Sequence, residues 1–127
     1  NLVIMHLAQA TYFIEVKKSK FIALAYSINN ENEIENILDE LKREHKKAKH
    51  ITYGFKISNN NEFKIRGFDA AEPKGCASMP IIRAIEINNL NNVVIFIIRY
   101  FGNIKLGLKK LTQTYAKAAY EIAKLIK

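Results

Sequence analysis

The sequence has one cysteine, two prolines and five glycines, and these low counts exclude several classes of protein. Cys76 alone cannot form an internal disulfide or a multi-cysteine zinc site, and a single thiol fits a reducing compartment, so we expect a cytoplasmic protein. The low proline and glycine content excludes collagen-like chains. The longest apolar run, Val93 to Ile98, is far shorter than the roughly 20 residues of a membrane-spanning helix, so we expect no membrane association.

Negative charge is also scarce. The chain has 20 Lys+Arg against 12 Asp+Glu, a net charge of +8, and this balance favours polyanionic partners such as RNA. The length of 127 residues predicts one domain over positions 1–127. The apolar opening Asn1–Leu7 has neither a basic leader nor a small-residue cleavage site, so it does not resemble a signal peptide.

Hydrophobic periodicity predicts the element order β-β-α-β-β-α-β-α. Asn30 and Glu33 have the spacing of a capping box at the start of the first helix, and Pro80 suits the first position of the second. The unbroken run Val93–Ile98 is typical of a strand that is central or covered on both faces. We expect an α+β fold of two layers, with the helices on one face of the sheet. The predicted strands are 11–16, 21–28, 51–57, 63–66 and 93–98, and the predicted helices are 30–45, 80–90 and 108–126.

Four segments resemble motifs of the IMPACT family, also called the YigZ family. Arg99-Tyr100-Phe101-Gly102-Asn103-Ile104-Lys105-Leu106-Gly107 differs from the family nonapeptide only by Asn103 in place of a glycine. The segment Asp69–Pro80 follows the family loop Asp-Asp-Gly-Glu-Pro-Ser-Gly-Thr-Ala-Gly-x-Pro, with Ala70-Ala71 where the family has Asp-Gly. Lys17–Ala23 is similar to the family's opening hairpin, and His50–Phe55 is similar to its following strand.

The resemblance implies a fold like the second domain of ribosomal small-subunit protein five. Bacterial relatives usually add a ferredoxin-like C-terminal domain, and we do not expect that domain within these 127 residues. In eukaryotic relatives an added N-terminal domain binds a ribosome-associated activator of an initiation-factor kinase. Ribosome-associated proteins are therefore expected partners alongside RNA, and regulation of translation initiation under stress is one implied function.

The segment from Arg99 to the start of the last helix has the form of an anion site. Arg99 and Lys105 supply charge, Gly102 and Gly107 allow close backbone approach, and a helix N-terminus follows. Lys109 and Lys110 stand where the family has two further glycines, and they add charge. Alternatively, the glycines only form a turn and the lysines are solvated.

A second group of residues has the side-chain types of a catalytic site. His50, Asp69, Glu72 and Cys76 would supply a base, carboxylates and a nucleophile if the fold brought them together. The alternative assigns Cys76 to a small apolar position under the loop, His50 to a structural role and Glu72 to a turn.

Further basic residues extend the candidate anion-binding surface. Alternation in the second hairpin predicts a common basic outer face, and the 69–80 loop adds a lysine beside a glycine. These residues are equally compatible with a solvated surface. The additional candidates are Lys56, Lys64, Arg66, Lys74 and Gly75.

The first hypothesis is a non-enzymatic, nucleic-acid- or translation-associated module that contacts phosphate through the Arg99–Lys110 segment. The second is a protein-binding regulator of translation initiation under stress, whose binding would survive high salt. The third is a hydrolase that uses His50, Asp69, Glu72 and Cys76. No metal or other cofactor is predicted.

Overall fold

A five-stranded antiparallel sheet in the order β1-β2-β5-β3-β4 forms the framework of the computed structural model, which describes residues 5–127. The element order is the predicted one, and the α+β class is confirmed. The apolar opening lies partly outside the described residues, because positions 1–4 are not among them. The strands are β1 (Ala10–Val16), β2 (Ser19–Ser27), β3 (His50–Asn59), β4 (Glu62–Phe68) and β5 (Val93–Tyr100), and the helices are α1 (Glu31–Glu44), α2 (Ser78–Ile87) and α3 (Leu108–Ile126).

The two faces of the central strand β5 are both buried. Its odd-numbered residues from 93 to 97 pack with α2 and α3, and its even-numbered residues from 94 to 98 pack with α1. The prediction of a strand covered on both faces is confirmed, whereas the expected placement of all helices on one face is wrong. Since side chains alternate along a strand, a run of six apolar residues places three on each face, and here helices cover both faces. We call the two sides the α3 face and the α1 face.

Local signals set the ends of several elements. Asn30 Oδ1 accepts from the Glu33 N–H and Glu33 Oε2 accepts from the Asn30 N–H, so the predicted capping box at α1 is confirmed. Lys17 and Lys18 have φ of 47° and 67°, the backbone of a two-residue turn that matches the twist of a hairpin. No helix within residues 5–127 combines the length and apolar character needed to cross a membrane.

The bounds of α2 differ from the prediction. The helix begins at Ser78, two residues before Pro80, because the Asp69 carboxylate accepts hydrogen bonds from the Ala77 and Ser78 N–H groups. It ends at Ile87, since Asn89 has φ 52° and leaves the helical conformation. Pro80 occupies the third helical position, where a missing N–H leaves no intrahelical bond unmade.

Candidate functional site

Three aligned residues form the floor of the candidate site. In the sheet register, Arg99 of β5 lies opposite Phe21 of β2 on one side and His50 of β3 on the other. Residues that pair directly across antiparallel strands project from the same face, which here is the α3 face. Tyr115 of α3 packs edge-on against Phe21, with ring centroids 5.3 Å apart. The sheet register and the docking of α3 thus bring chemically different side chains together.

Glu72 is the centre of a buried polar cluster on this floor. Its side chain is 3% exposed, and Arg99 Nη1 donates to both carboxylate oxygens at 3.0 Å. The Tyr115 hydroxyl donates to Oε2, while His50 Nε2 lies 3.3 Å from Oε1. Burial and the neighbouring carboxylate raise the pKa of Tyr115, so its phenol stays protonated as a donor. The Glu72 charge is therefore compensated inside the protein.

A cavity of about 470 Å³ opens above this cluster. Lys49 and Lys105 are the two lysines in its lining, and the start of α3 forms part of its wall. The first α3 hydrogen bond runs from the Leu111 N–H to the Gly107 carbonyl, so the N–H groups of residues 108–110 have no helical acceptor. Within the described chain, no side chain caps this end and its first turn holds no acid. These features favour an anion at the cavity.

The structure places the charged residues of the Arg99–Lys110 segment in different environments. Lys105 lines the cavity, but Arg99 is bound to Glu72 inside the protein and its charge is not free for a ligand. Lys109 and Lys110 are exposed on the first turn of α3, outside the cavity lining. Gly107 has φ 79° and ψ 157°, a conformation essentially restricted to glycine, and a Cβ there would meet no atom within 4 Å.

Gly102 packs against the protein, contrary to the expectation that it lets the backbone approach a ligand. A Cβ at this position would lie 2.2 Å from the main-chain carbonyl of Lys18. The Gly102 N–H also donates to Ser19 Oγ at 3.3 Å. The absence of a side chain therefore lets the 101–107 loop dock against the β1–β2 turn.

The four residues of the hydrolase hypothesis do not all line one cavity. His50 and Glu72 line the cavity, whereas Asp69 and Cys76 do not. His50 Nδ1 lies 2.6 Å from the Ala70 carbonyl, to which it donates. Burial, reinforced by the carboxylates of Glu72 and Asp69, raises the pKa of Cys76 to about 12, so the thiol is protonated and weakly nucleophilic at neutral pH. The expectation that these groups share one cleft is therefore wrong for Asp69 and Cys76.

Asp69 instead organises the loop that leads into α2. Its Oδ2 accepts from the Gly75 N–H at 2.8 Å and from Ser78 Oγ at 2.9 Å, in addition to the contacts of Oδ1 at the helix end. The Gly75 amide, a candidate for anion binding, is therefore already engaged. Lys74 beside it is exposed and does not line the cavity.

We expect this arrangement to make stability depend on acid pH. Burial raises the pKa of Asp69, but its four hydrogen bonds outweigh burial and hold the pKa below the ordinary value of 3.8. The stabilisation is therefore complete above the ordinary pKa and is lost as pH falls through the lower folded-state value. In urea unfolding across a pH series, Asp69→Asn should have a lower midpoint at neutral pH and a smaller further loss below about pH 4. If the unfolding midpoints of the two proteins changed with pH in parallel, this role of Asp69 would be contradicted.

The predicted basic face of the second hairpin is divided between two sides of the sheet. Lys64 and Arg66 lie opposite Ile57 and Phe55 on the α1 face, whereas Lys56 lies opposite Ile65 on the α3 face. Lys64 also pairs with Glu31. The expectation of a common face is wrong because strict alternation assigns even-numbered residues of β3 and β4 to opposite faces in this register.

Two cavity residues were missed by sequence reasoning. Lys49 lies just before β3, and nothing local in the sequence indicates that its backbone N–H is bonded to the Arg99 carbonyl. Phe101 lies within the family nonapeptide, but an aromatic residue after a buried strand is more often expected in the core. Its side chain is 39% exposed and lines the cavity.

Residues 17–123 match the family model described as the Impact N-terminal domain. The IMPACT family member YvyE of Bacillus subtilis is 30% identical over 85% of this chain and 49% of its own length. Three curated relatives match this chain over most of its residues, and the chain spans about half the length of each of them.

Two solved structures share the fold. A hypothetical protein of known crystal structure superposes with a TM-score of 0.84 at 21% identity, covering 95% of this chain and 62% of that one. The two-domain translational regulator Yih1 superposes with a TM-score of 0.53 at 21% identity, covering 91% of this chain and 46% of that one. The likenesses agree with the domain match, and we conclude from that match that the chain belongs to the IMPACT family.

Proposed function

We propose that this chain is a non-enzymatic, translation-associated module that binds nucleic-acid phosphate at the cavity beside the α3 N-terminus. The observation that carries the proposal is that Lys49, Lys105 and the first residue of α3, Leu108, line one cavity, at a helix end whose first N–H groups have no backbone acceptor. The carboxylate in this cavity does not oppose an anion, because Arg99 and Tyr115 compensate it. The cavity therefore presents a local excess of positive charge.

The global charge supports the same partner. The net charge of +8 draws polyanions toward the protein from any direction, and the cavity would then fix one phosphate. The chain has 16 lysines and four arginines, and the arginine nearest the cavity is occupied by Glu72. Since arginine is the residue that most often reads guanine edges, we expect binding with little base specificity.

The association with translation rests on the family and on one structural neighbour. Yih1 is a translational regulator, and its fold overlaps most of this chain. The partner class follows from the site chemistry, and RNA is the abundant polyanion of the translation machinery. We therefore place RNA first among the nucleic acids to be tested.

A protein partner is the second candidate, as in a regulator of initiation under stress. One observation favours it: Leu108, in the cavity lining, is 61% exposed, and Ile104, next in sequence to the lining residue Lys105, is 41% exposed. Exposed apolar side chains at a cavity rim are typical of protein interfaces. Such binding depends weakly on salt, whereas phosphate binding weakens steeply as salt rises, so a salt series separates the two.

We expect single-stranded RNA to bind at low salt, with a logarithmic affinity that falls linearly with the logarithm of salt concentration. The double variant Lys49→Ala/Lys105→Ala should bind more weakly and with a salt slope reduced by about 1–2, because two phosphate contacts are lost. The matched control is Lys20→Ala/Lys42→Ala, which removes the same charge from the α1 face and from α1. Equal losses in the two double variants, or no binding at low salt, would contradict the proposed site.

A further inference from the structure

The cavity has an aromatic wall as well as a charged one. The Phe101 ring lies against the Arg99 guanidinium, whose Cζ is 5.6 Å from the ring centroids of both Phe101 and Phe21. The guanidinium is itself fixed by Glu72 and lies 3.5 Å from Ser19 Oγ. Phe101 is thus held from within the protein while more than a third of its surface stays accessible.

The apolar and charged linings lie on different residues of the same cavity. Phe101, Leu106 and Leu108 contribute apolar surface, and Lys49, Lys105 and the α3 N-terminus contribute positive charge. A simple anion would use only the charged lining, whereas a nucleotide has both a flat π-surface and a phosphate. A volume of about 470 Å³ is within the range of small-molecule sites and suits one nucleotide.

We propose that the cavity takes a single unstacked nucleotide of a nucleic-acid strand, with its base against Phe101 and its phosphate at Lys105 and the α3 N-terminus. The proposal rests on the proposed phosphate-binding function and specifies its substrate as single-stranded. Bases in a duplex are stacked on both sides and do not reach a concave aromatic wall, whereas an unpaired base does. Because every base has a π-face, stacking on one aromatic ring tolerates all four bases.

The test compares strands that differ only in their bases. A single-stranded RNA of about ten nucleotides, an abasic ribose-phosphate chain of the same length and an RNA duplex are titrated at one low salt concentration. We expect the single-stranded RNA to bind about tenfold more tightly than the abasic chain, the change expected from one stacked base. It should also bind more tightly than the duplex at equal phosphate concentration.

Substitutions of Phe101 test the assignment to this residue. Phe101→Ala and Phe101→Leu should both remove the preference for RNA over the abasic chain, and Phe101→Trp should retain it. Phe101→Leu keeps apolar contact with Arg99, so it preserves the loop if the smaller alanine does not. The control is Phe13→Ala, an exposed aromatic residue that lies opposite Ile22 on the α1 face and should keep the preference. The salt slope should be unchanged in the Phe101 variants, since no phosphate contact is lost.

The possible failures are distinguishable. Equal affinity of the wild type for RNA and the abasic chain would overturn the nucleotide proposal and leave the phosphate site intact. Duplex affinity equal to single-strand affinity would also overturn it. If none of the three nucleic acids binds at low salt, the proposed function itself fails, and the nucleotide site fails with it.

Discussion

Glu72→Gln is expected to lower the free energy of unfolding by about 3–5 kcal/mol, the usual effect of removing one partner from a buried ion pair. Glutamine keeps the shape and one acceptor oxygen for Tyr115, but it leaves the Arg99 guanidinium buried without an anion. Arg99 is 6% exposed, and its Nε already lacks a hydrogen-bond partner within the described residues. Urea unfolding of the two proteins at neutral pH measures the difference.

Two further variants show whether the loss of stability in Glu72→Gln comes from the unpaired buried charge or from altered packing. Glu121→Gln removes a carboxylate that pairs with Lys117 and Lys124 at the surface of α3, and its unfolding midpoint should stay close to that of the wild type. The double variant Glu72→Leu/Arg99→Met should be more stable than Glu72→Leu alone, because no charge is left unpaired. A loss below about 1 kcal/mol for Glu72→Gln would show that water reaches the guanidinium.

Gly102→Ala is expected to destabilise the protein by about 1–3 kcal/mol, the range for overpacking in a close contact. The new methyl group would lie 2.2 Å from the Lys18 carbonyl, so the 101–107 loop or the β1–β2 turn must move. This displacement also weakens the contact between the Gly102 N–H and Ser19 Oγ. The free energy of unfolding from urea denaturation reports the loss.

The origin of this loss can be tested with Lys18→Gly as a second change. The nearest atoms to the added methyl belong to the Lys18 main chain, which Lys18→Gly retains. Gly102→Ala should therefore destabilise the Lys18→Gly variant nearly as much as it destabilises the wild type. If the loss disappeared in that variant, the Lys18 side chain rather than the backbone would be responsible.

The elements of the fold were predictable because each has a local signal. The alternation from Ile51 to Ile57 and the Asn30/Glu33 pair depend only on residues close in sequence, and both indicate the correct element. The position of α1 was not predictable in the same way. Periodicity shows that α1 has an apolar stripe but not which face of the sheet the stripe covers. The unbroken run of β5 indicates a covering layer on each face of the sheet, but it does not identify the helix that supplies each layer.

The candidate site was only partly predictable. Lys105 and Gly107 lie in one contiguous segment whose motif indicates an anion site, and the structure places both at the cavity. The pairing of Glu72 with Arg99 joins residues 27 positions apart and depends on strand register and loop closure, which no local pattern encodes. For the same reason, Asp69 resembled a catalytic carboxylate in the sequence, although it caps α2 in the fold.

The most direct test of the phosphate site is an NMR titration that follows the backbone amides. A short single-stranded RNA is added to isotope-labelled protein at low salt, and the chemical shifts of assigned amides are followed to saturation. We expect the largest changes at Leu108 and around Lys49 and Lys105, because these residues line the cavity, and at the adjacent first turn of α3. Changes concentrated on α1, or no changes at concentrations that saturate binding in the salt series, would contradict a phosphate site at the α3 N-terminus.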